Sequence, residues 1–323
     1  MGMAMADSDF DELDRKLLHA LQIDGRAPFN KIAEVLGVSD QTIARRYARL
    51  RSTLRVRVAG RTDPALLGEV TWFVRIRCVP SVAASIGAAL ARRPDTSWVK
   101  LASGGTEIVC VVRAATGQDG DSLLLAKLPK TPSVTAVSAN CILHVFYGGT
   151  FSGGNEGVVH VLSPGQIAQL APPPVTPGGP VVLDDVDRRL LESLRADGRV
   201  AYTEMADDTG LPLTTVRRRI AELRGSGVLY FDLDLDYRAL NLPMQTMLWL
   251  SAAPDRLTAV GEALAGHPEV AFAAAVTGTH NVYASVLSPD PATLYTYLAT
   301  RIGGLPGIQR VETVPVLRTL KHL

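Results

Sequence analysis

Leu13, Leu17, Leu18 and Leu21 recur at helical spacing behind the acids Asp11, Glu12 and Asp14, and predict a first helix. Asp24-Gly25-Arg26 reads as a turn. Asn30 is placed to cap a second short helix carrying Ile32, Ala33 and Leu36, with Gly37 in the position of a C-terminal glycine. Ser39 then caps a third helix whose buried stripe is Ile43, Tyr47 and Leu50. That stripe turns Gln41, Thr42, Arg45, Arg46 and Arg49 outward. His19 is expected at the surface of the first helix.

The pattern returns at Val186–Arg224. Against Leu13–Arg51, about sixteen of roughly thirty-nine positions are identical without a gap, among them Asp24-Gly25-Arg26 with Asp197-Gly198-Arg199 and Leu50-Arg51 with Leu223-Arg224. The spacing is too long for a solenoid and indicates duplication of a larger unit. In the second copy Val216, Ile220 and Leu223 are the buried stripe, and Thr214, Thr215, Arg217, Arg218 and Arg219 face out. Pro212 stands in the place of Ser39, a tolerated residue at a helix start.

After each helical unit the period changes. Arg55–Arg61 alternates as a strand or wing. Strands are predicted at Val70–Cys78, Trp98–Ala102, Glu107–Val112 and Val134–Phe146, with helices at Val82–Arg92 and Asp121–Leu128. The second half repeats the order, with strands Met244–Ser251, Val270–Ala275, Val282–Leu287 and Ile308–Val316 and helices Leu257–Ala265 and Ala292–Ile302. Each order is βαββαβ, a ferredoxin-like unit with two helices on one antiparallel sheet. The second face of the first unit's sheet is also apolar and is expected to pack on another sheet. The fold class is therefore α+β. Its expected domains are a helix-turn-helix at 10–61, a ferredoxin-like unit at 62–150, a linker at 151–182, a second helix-turn-helix at 183–236 and a second ferredoxin-like unit at 237–323. The proline-rich run at 171–180 is a stiff, extended spacer.

Helix, glycine-containing turn, helix is a DNA-binding arrangement, with the start of the third helix facing base edges in the major groove. Arginine suits guanine, glutamine suits adenine, and threonine reads either edge or a thymine methyl. Between Ser39 and Arg61 stand seven arginines and one acid, Asp40, so the expected partner is double-stranded DNA held largely through phosphate. The net charge of +1 excludes a bulk polycation, leaving local patches to do this. The second copy's following strand carries Asp232, Asp234 and Asp236 on one face, with Asp234 in the place of Arg61. The first copy is thus expected to hold phosphates more strongly.

The two units together resemble the Lrp/AsnC (feast/famine) family of bacterial and archaeal regulators. The residues that carry the resemblance are Leu13-Asp14, Ile32-Ala33, Gly37-Val38-Ser39, Thr42-Ile43, Arg46, Leu50 and the glycine loop Gly104–Glu107. It covers nearly all of the chain outside the middle segment. The resemblance implies winged helix-turn-helix domains, RAM-type sensor domains that associate, and a homo-oligomer. It also implies a small-molecule effector, often an amino acid, near the glycine loops: Gly104, Gly105, Thr106 and Glu107 in the first copy, and Thr277, Gly278, Thr279, His280 and Asn281 in the second. Glu107 offers a carboxylate to an ammonium group, and Asn281 does not.

Three scattered cysteines suit a reducing cytoplasm. Neither a membrane span nor a signal peptide is expected. No metal-ligand, Walker or nucleophile-elbow pattern occurs, so no cofactor, metal or catalytic residue is expected and the chain reads as a regulator. The competing expectation is an enzyme like the sirohaem decarboxylases, which resemble the same architecture. The third strands, Trp98-Val99-Lys100-Leu101 and Phe272-Ala273-Ala274-Ala275, lack the histidine, tyrosine or arginine cluster that this would require.

Overall fold

The structure is a computed structural model; it describes residues 10–115, 131, 133–148, 159, 161–176 and 178–322. The chain forms two compact units, Met1–Asp63 with Val159–Asp236 and Pro64–Val158 with Tyr237–Leu323. The two helical copies thus share one unit, and the two α/β copies share the other.

In the helical unit, α1 (Glu12–Ile23), α2 (Phe29–Leu36) and α3 (Asp40–Thr53) are repeated by α6 (Asp185–Ala196), α7 (Tyr202–Thr209) and α8 (Leu213–Gly225). Asp11 and Asp14 close a capping box on α1, as Asp184 and Asp187 do on α6. Gly37 and Gly210 end α2 and α7 at φ 68° and 70°, a left-handed conformation that costs other residues energy. Ser39 caps α3 by accepting from the Thr42 N–H at 3.1 Å, whereas Pro212 gives α8 no side-chain cap. Asn30 is not the cap of α2; Pro28 precedes the helix and Asn30 lies in its first turn.

The repeated Asp-Gly-Arg turn is more than a turn. Arg26 donates to the Gly198 and Val200 carbonyls at 2.5 and 2.8 Å, and Arg199 donates to the Gly25 and Ala27 carbonyls at 2.7 and 3.0 Å. Arg26 lies over the Tyr202 ring at 4.3 Å, and Arg199 over Phe29 at 4.2 Å. Arg51 pairs with Asp197 at 2.8 Å, and Arg224 with Asp24 at 3.0 Å. Each contact has its mirror in the other copy. A Cβ on Gly25 or Gly198 would stand 2.8 Å from Val58 Cγ1, which explains glycine at both sites.

The predicted wing is half of a two-stranded sheet. β1 (Arg57–Thr62) pairs antiparallel with β6 (Leu229–Asp234), with Arg57 opposite Asp234 and Ala59 opposite Asp232. The Arg57–Asp234 ion pair spans 3.6 Å, and Arg61 acts on Asp232 electrostatically. The aspartates of β6 therefore answer the arginines of β1, and the charge reversal is a pairing device between copies.

His19 is not at the surface of α1. It is buried, and its Nδ1 accepts the N–H groups of Val161 and Leu162 at 3.2 and 3.0 Å. Those residues lead into α5 (Pro164–Leu170), capped by Ser163, whose Gln166 donates to the Val35 carbonyl at 3.1 Å. Part of the segment read as linker thus packs on the first helical copy.

In the α/β unit, β2 (Glu69–Cys78), α4 (Pro80–Ala91), β3 (Thr96–Ala102), β4 (Glu107–Ala115) and β5 (Val134–Tyr147) form the first copy. Its expected helix at Asp121–Leu128 lies outside the described residues. The second copy is β7 (Met244–Ala252), α9 (Leu257–Ala265), β8 (Val270–Val276), β9 (Val282–Ser288), α10 (Pro291–Tyr297) and β10 (Ile308–Lys321). The apolar inner faces pack as expected, with Phe73, Val109, Val111, Met247, Trp249, Ala274 and Tyr283 between the sheets. Separate layers pack beneath α4 and beneath α9 and α10.

The sheets are not two open layers, however. They close into one barrel of order β10-β3-β4-β2-β5-β8-β9-β7. β5 pairs with β2 through Cys141 and with β8 from Ile142 onward. β10 pairs with β7 through Pro315 and with β3 from Val316 onward. Closure leaves the barrel without an edge and carries β10 to Lys321, beyond the predicted end at Val316.

Candidate nucleic-acid interface and effector loops

The starts of α3 and α8 carry the candidate DNA contacts. Ser39, Gln41 and Arg45 are exposed on α3, and Thr214, Arg217 and Arg218 on α8. Thr42 and Thr215 are half-buried. The Ser39 and Thr42 hydroxyls lie 2.8 Å apart, so Ser39 holds the cap and the threonine hydroxyl together. Among the described residues, Arg45 makes no ion pair. Its counterpart Arg218 is tethered by Glu222 at 2.7 Å, one turn along the same helix.

Arg46, Arg49 and Arg219 are not outward as the helical stripe suggests. Arg46 reaches back to Asp11 at 2.7 Å and Asp14 at 3.0 Å, and Arg49 also binds Asp14, which is fully buried. Arg219 repeats this with Asp184 and Asp187 at 2.6 and 2.9 Å. The carboxylates of Asp11 and Asp184 sit below their usual range. For Asp11 burial opposes the shift, but hydrogen bonds from Arg46 and the Asp14 N–H outweigh it. For Asp184 the Asp187 N–H is the largest cause. These arginines fasten the third helix of each copy to the first. Of the seven arginines between Ser39 and Arg61, Arg46, Arg49, Arg51 and Arg57 form ion pairs within the unit and Arg61 acts electrostatically on Asp232. The charge free to meet phosphate is much smaller than the count suggests.

The glycine loops lie in the α/β unit. Gly104 and Thr106 are exposed, Gly105 is half-buried, and the Thr106 hydroxyl donates to the Ser103 carbonyl at 2.9 Å. Glu107 is turned inward and buried, 3% exposed. It accepts from Arg75 Nε at 2.6 Å and from the Ser103 hydroxyl at 3.1 Å. Arg75 also forks onto both carboxylate oxygens of Glu312 at 2.9 and 2.7 Å, with its guanidinium 4.9 Å from the Trp249 ring centre. Burial alone would lower the Arg75 pKa, yet the two carboxylates hold it above its ordinary value. The same fork holds the Glu312 carboxyl low. The expectation of a Glu107 carboxylate open to an ammonium group is therefore corrected.

In the second loop, Thr277 Oγ1 accepts the Cys141 N–H at 2.8 Å, and the Thr279 carbonyl accepts from Ser251 at 2.9 Å. The Asn281 amide both accepts from and donates to the Ala252 backbone, at 2.8 and 2.9 Å, extending the ladder where a charge would fail. Gly278 stands at φ 110°. His280 Nδ1 lies 3.8 Å from Glu312, and its Nε2 is buried without a hydrogen bond. Burial lowers the His280 pKa, partly offset by Glu312. Arg75 and Glu312 thus link the loops, Glu107 on one side and His280 on the other. Sequence reasoning missed both linkers. The signal was a lone arginine inside the apolar run Phe73-Val74-Arg75-Ile76, on the face that alternation sends toward the second sheet.

Among the described residues no group of three or more histidine, cysteine or acidic side chains is placed to hold a metal, and no helix is long and apolar enough to cross a membrane.

The AsnC-type helix-turn-helix domain matches at residues 10–51 and 183–224, and the Lrp/AsnC ligand binding domain at 245–323. The chain is 30% identical over 143 residues to the HTH-type transcriptional regulator FL11 of Pyrococcus horikoshii, covering 44% of this chain and 94% of that one. It is 26% identical over 141 residues to the regulator LrpA of the same organism, covering 43% and 100%. Such relatives correspond in length to one half of this chain. Over its whole length the chain shares its fold with the siroheme decarboxylase NirDL, at TM-score 0.66 and 13% identity, covering 95% of this chain and 92% of that one. A second structure of that enzyme, in co-complex with an iron-uroporphyrin III analogue, gives 0.67. At that identity the likeness concerns fold alone. The helical repeat, the paired α/β copies and the matched relatives together place this chain in the Lrp/AsnC family of transcriptional regulators, in a tandemly duplicated form.

Proposed function

We propose that this protein is a sequence-specific DNA-binding transcription regulator and not an enzyme. The observation that carries the reading is the pair of complete helix-turn-helix copies, locked to each other by reciprocal arginines, each leaving its recognition-helix start exposed. One chain then presents two reading heads, as a dimer does in other helix-turn-helix proteins. Arg45 and Gln41 suit a guanine and an adenine in one half-site. Thr214, Arg217 and Arg218 read the other, so the operator is an imperfect palindrome. The α/β unit is the place for a small-molecule effector, an amino acid among the candidates, and for association of chains into a homo-oligomer. Effector binding shifts populations only if it favours one assembly or docking state over another.

The enzyme reading draws support from the full-length fold likeness to NirDL. The residues do not fit a tetrapyrrole between the sheets. That space is occupied by packed Phe73, Met247, Trp249, Ala274, Val276 and Tyr283, and its arginine is saturated by two carboxylates.

Footprinting on the promoter region beside the protein's own gene tests the proposal. Two unequal protected half-sites are expected; a perfectly symmetric site with equal footprints contradicts it.

A further inference from the structure

The two recognition helices differ at one position that redirects the charges around it. Arg49 of α3 and Glu222 of α8 occupy the same place in the repeat, as do Arg45 and Arg218, and Asp14 and Asp187. In the first copy Arg49 joins Arg46 on the buried Asp14 carboxylate. Arg45, one turn back along the helix, is exposed and makes no ion pair among the described residues. In the second copy the charge at this position is reversed. Among the described residues Asp187 is left with Arg219 alone as ion-pair partner, at 2.9 Å, and its side chain is 14% exposed where that of Asp14 is fully buried. Glu222 holds Arg218 instead, at 2.7 Å.

That contact adds little to folding. Its side chains are 61% and 58% exposed and stand four residues apart on one helix, the setting in which ion pairs are weakest. Its consequence is for the cation offered outward. Arg45 has Gln41 four residues before it and Arg49 four after, so no carboxylate competes for it on its own face. Of the arginines beside Arg218, Arg219 is tied to Asp184 and Asp187, and Arg217 lies 5.5 Å from the Tyr202 ring centre on α7. The helix start is also less prepared, because Pro212 has no hydroxyl to hold Thr215 as Ser39 holds Thr42.

We propose that Glu222 is a positioning residue that makes the second reading head subordinate to the first; the inference rests on the regulator reading above. To contact DNA, Arg218 must leave the Glu222 carboxylate. One ion pair replaces another, so few counterions are released on balance: Glu222 gathers a cation as the DNA gives one up. Arg45 makes no such exchange. The first copy therefore engages its half-site directly, and the second completes the complex once the first is held.

The test uses the full chain and a fluorescent duplex enriched by the wild type from a pool of random sequence. Glu222→Gln should bind that duplex about two- to fivefold more tightly, with a salt dependence steeper by about one counterion. In an Arg218→Ala background the same change should give no gain, because no guanidinium is left to release. Glu192→Gln, which removes an exposed acid from α6, should alter neither reading. No gain from Glu222→Gln overturns the proposal. So does a gain that persists with Arg218→Ala, or an equal gain from Glu192→Gln, since the carboxylate would then act only as a repelling charge. A wild type that enriches no sequence overturns the regulator reading and this inference together, so the two failures are told apart.

Discussion

Replacing Arg199 by alanine tests the interlock between the helical copies. Arg199 donates two hydrogen bonds to the Gly25 and Ala27 carbonyls and stacks over Phe29. Hydrogen bonds from a charged donor are worth about 1.5–3 kcal/mol each when their partner is left unmet, and the cation–π contact adds about 0.5–2 kcal/mol. Against this, burial lowers the Arg199 pKa and Arg26 repels it, so its removal relieves a penalty. The net loss expected is about 2–4 kcal/mol in the stability of the helical unit. Native-state hydrogen exchange reads that loss locally: the Ala27 amide, which donates to the Asp24 carbonyl in the interlocked turn, should lose protection by that amount. Arg26→Ala should match it, because it breaks the mirrored bonds to Gly198 and Val200. The double variant should lose more than the sum, since the repulsion between the two arginines is relieved once in it and counted twice in the singles. A loss below about 0.5 kcal/mol for Arg199→Ala, the range of an ordinary surface change, refutes the interlock.

Arg45→Ala and Arg46→Ala should separate reading from holding. The first should weaken DNA binding by about 1–3 kcal/mol with an unchanged unfolding midpoint, whereas the second should lower the midpoint because buried Asp14 loses a partner; titration and urea melts check the two. Asp232 has its pKa raised, chiefly by burial and against the pull of Arg61. A raised carboxyl pKa favours folding at low pH and costs stability once pH exceeds the folded value, so Asp232→Asn should stabilise at pH 7 and not at pH 3, read by melts at both. For Lys100, which burial lowers to about 7, the sign is opposite. Wild-type stability relative to Lys100→Met should rise between pH 7 and 10, by at most about 1.4 kcal/mol per pH unit, and level off below pH 7.

Elements governed by local pattern were readable in the chain. The leucine spacing of α1, the Ser39 cap, the Gly37 terminus and the βαββαβ order follow from neighbours within a few residues. What escaped depends on partners far away. Arg46 and Arg49 look outward on a helical wheel because the wheel does not contain Asp14, more than thirty residues earlier. His19 looks exposed because its partners, Val161 and Leu162, lie more than 140 residues on. The repeat did hold a clue to the interlock. Asp24, Gly25, Arg26 and Arg51 recur unchanged in the second copy, and they are the residues that cross between copies. Glu107 was placed correctly at the loop, but its direction was set by Arg75 on another strand.

The central claim is tested most directly by binding to a fluorescent duplex carrying the promoter region beside the protein's own gene. It should be run as a salt series for wild type and for an Arg45→Ala/Arg218→Ala variant, which leaves the structural arginines in place. The account predicts tight, sequence-preferring binding that weakens steeply as salt rises and is lost in the variant. Absence of sequence-preferring binding by the wild type at low salt, with the helical unit folded, would contradict it.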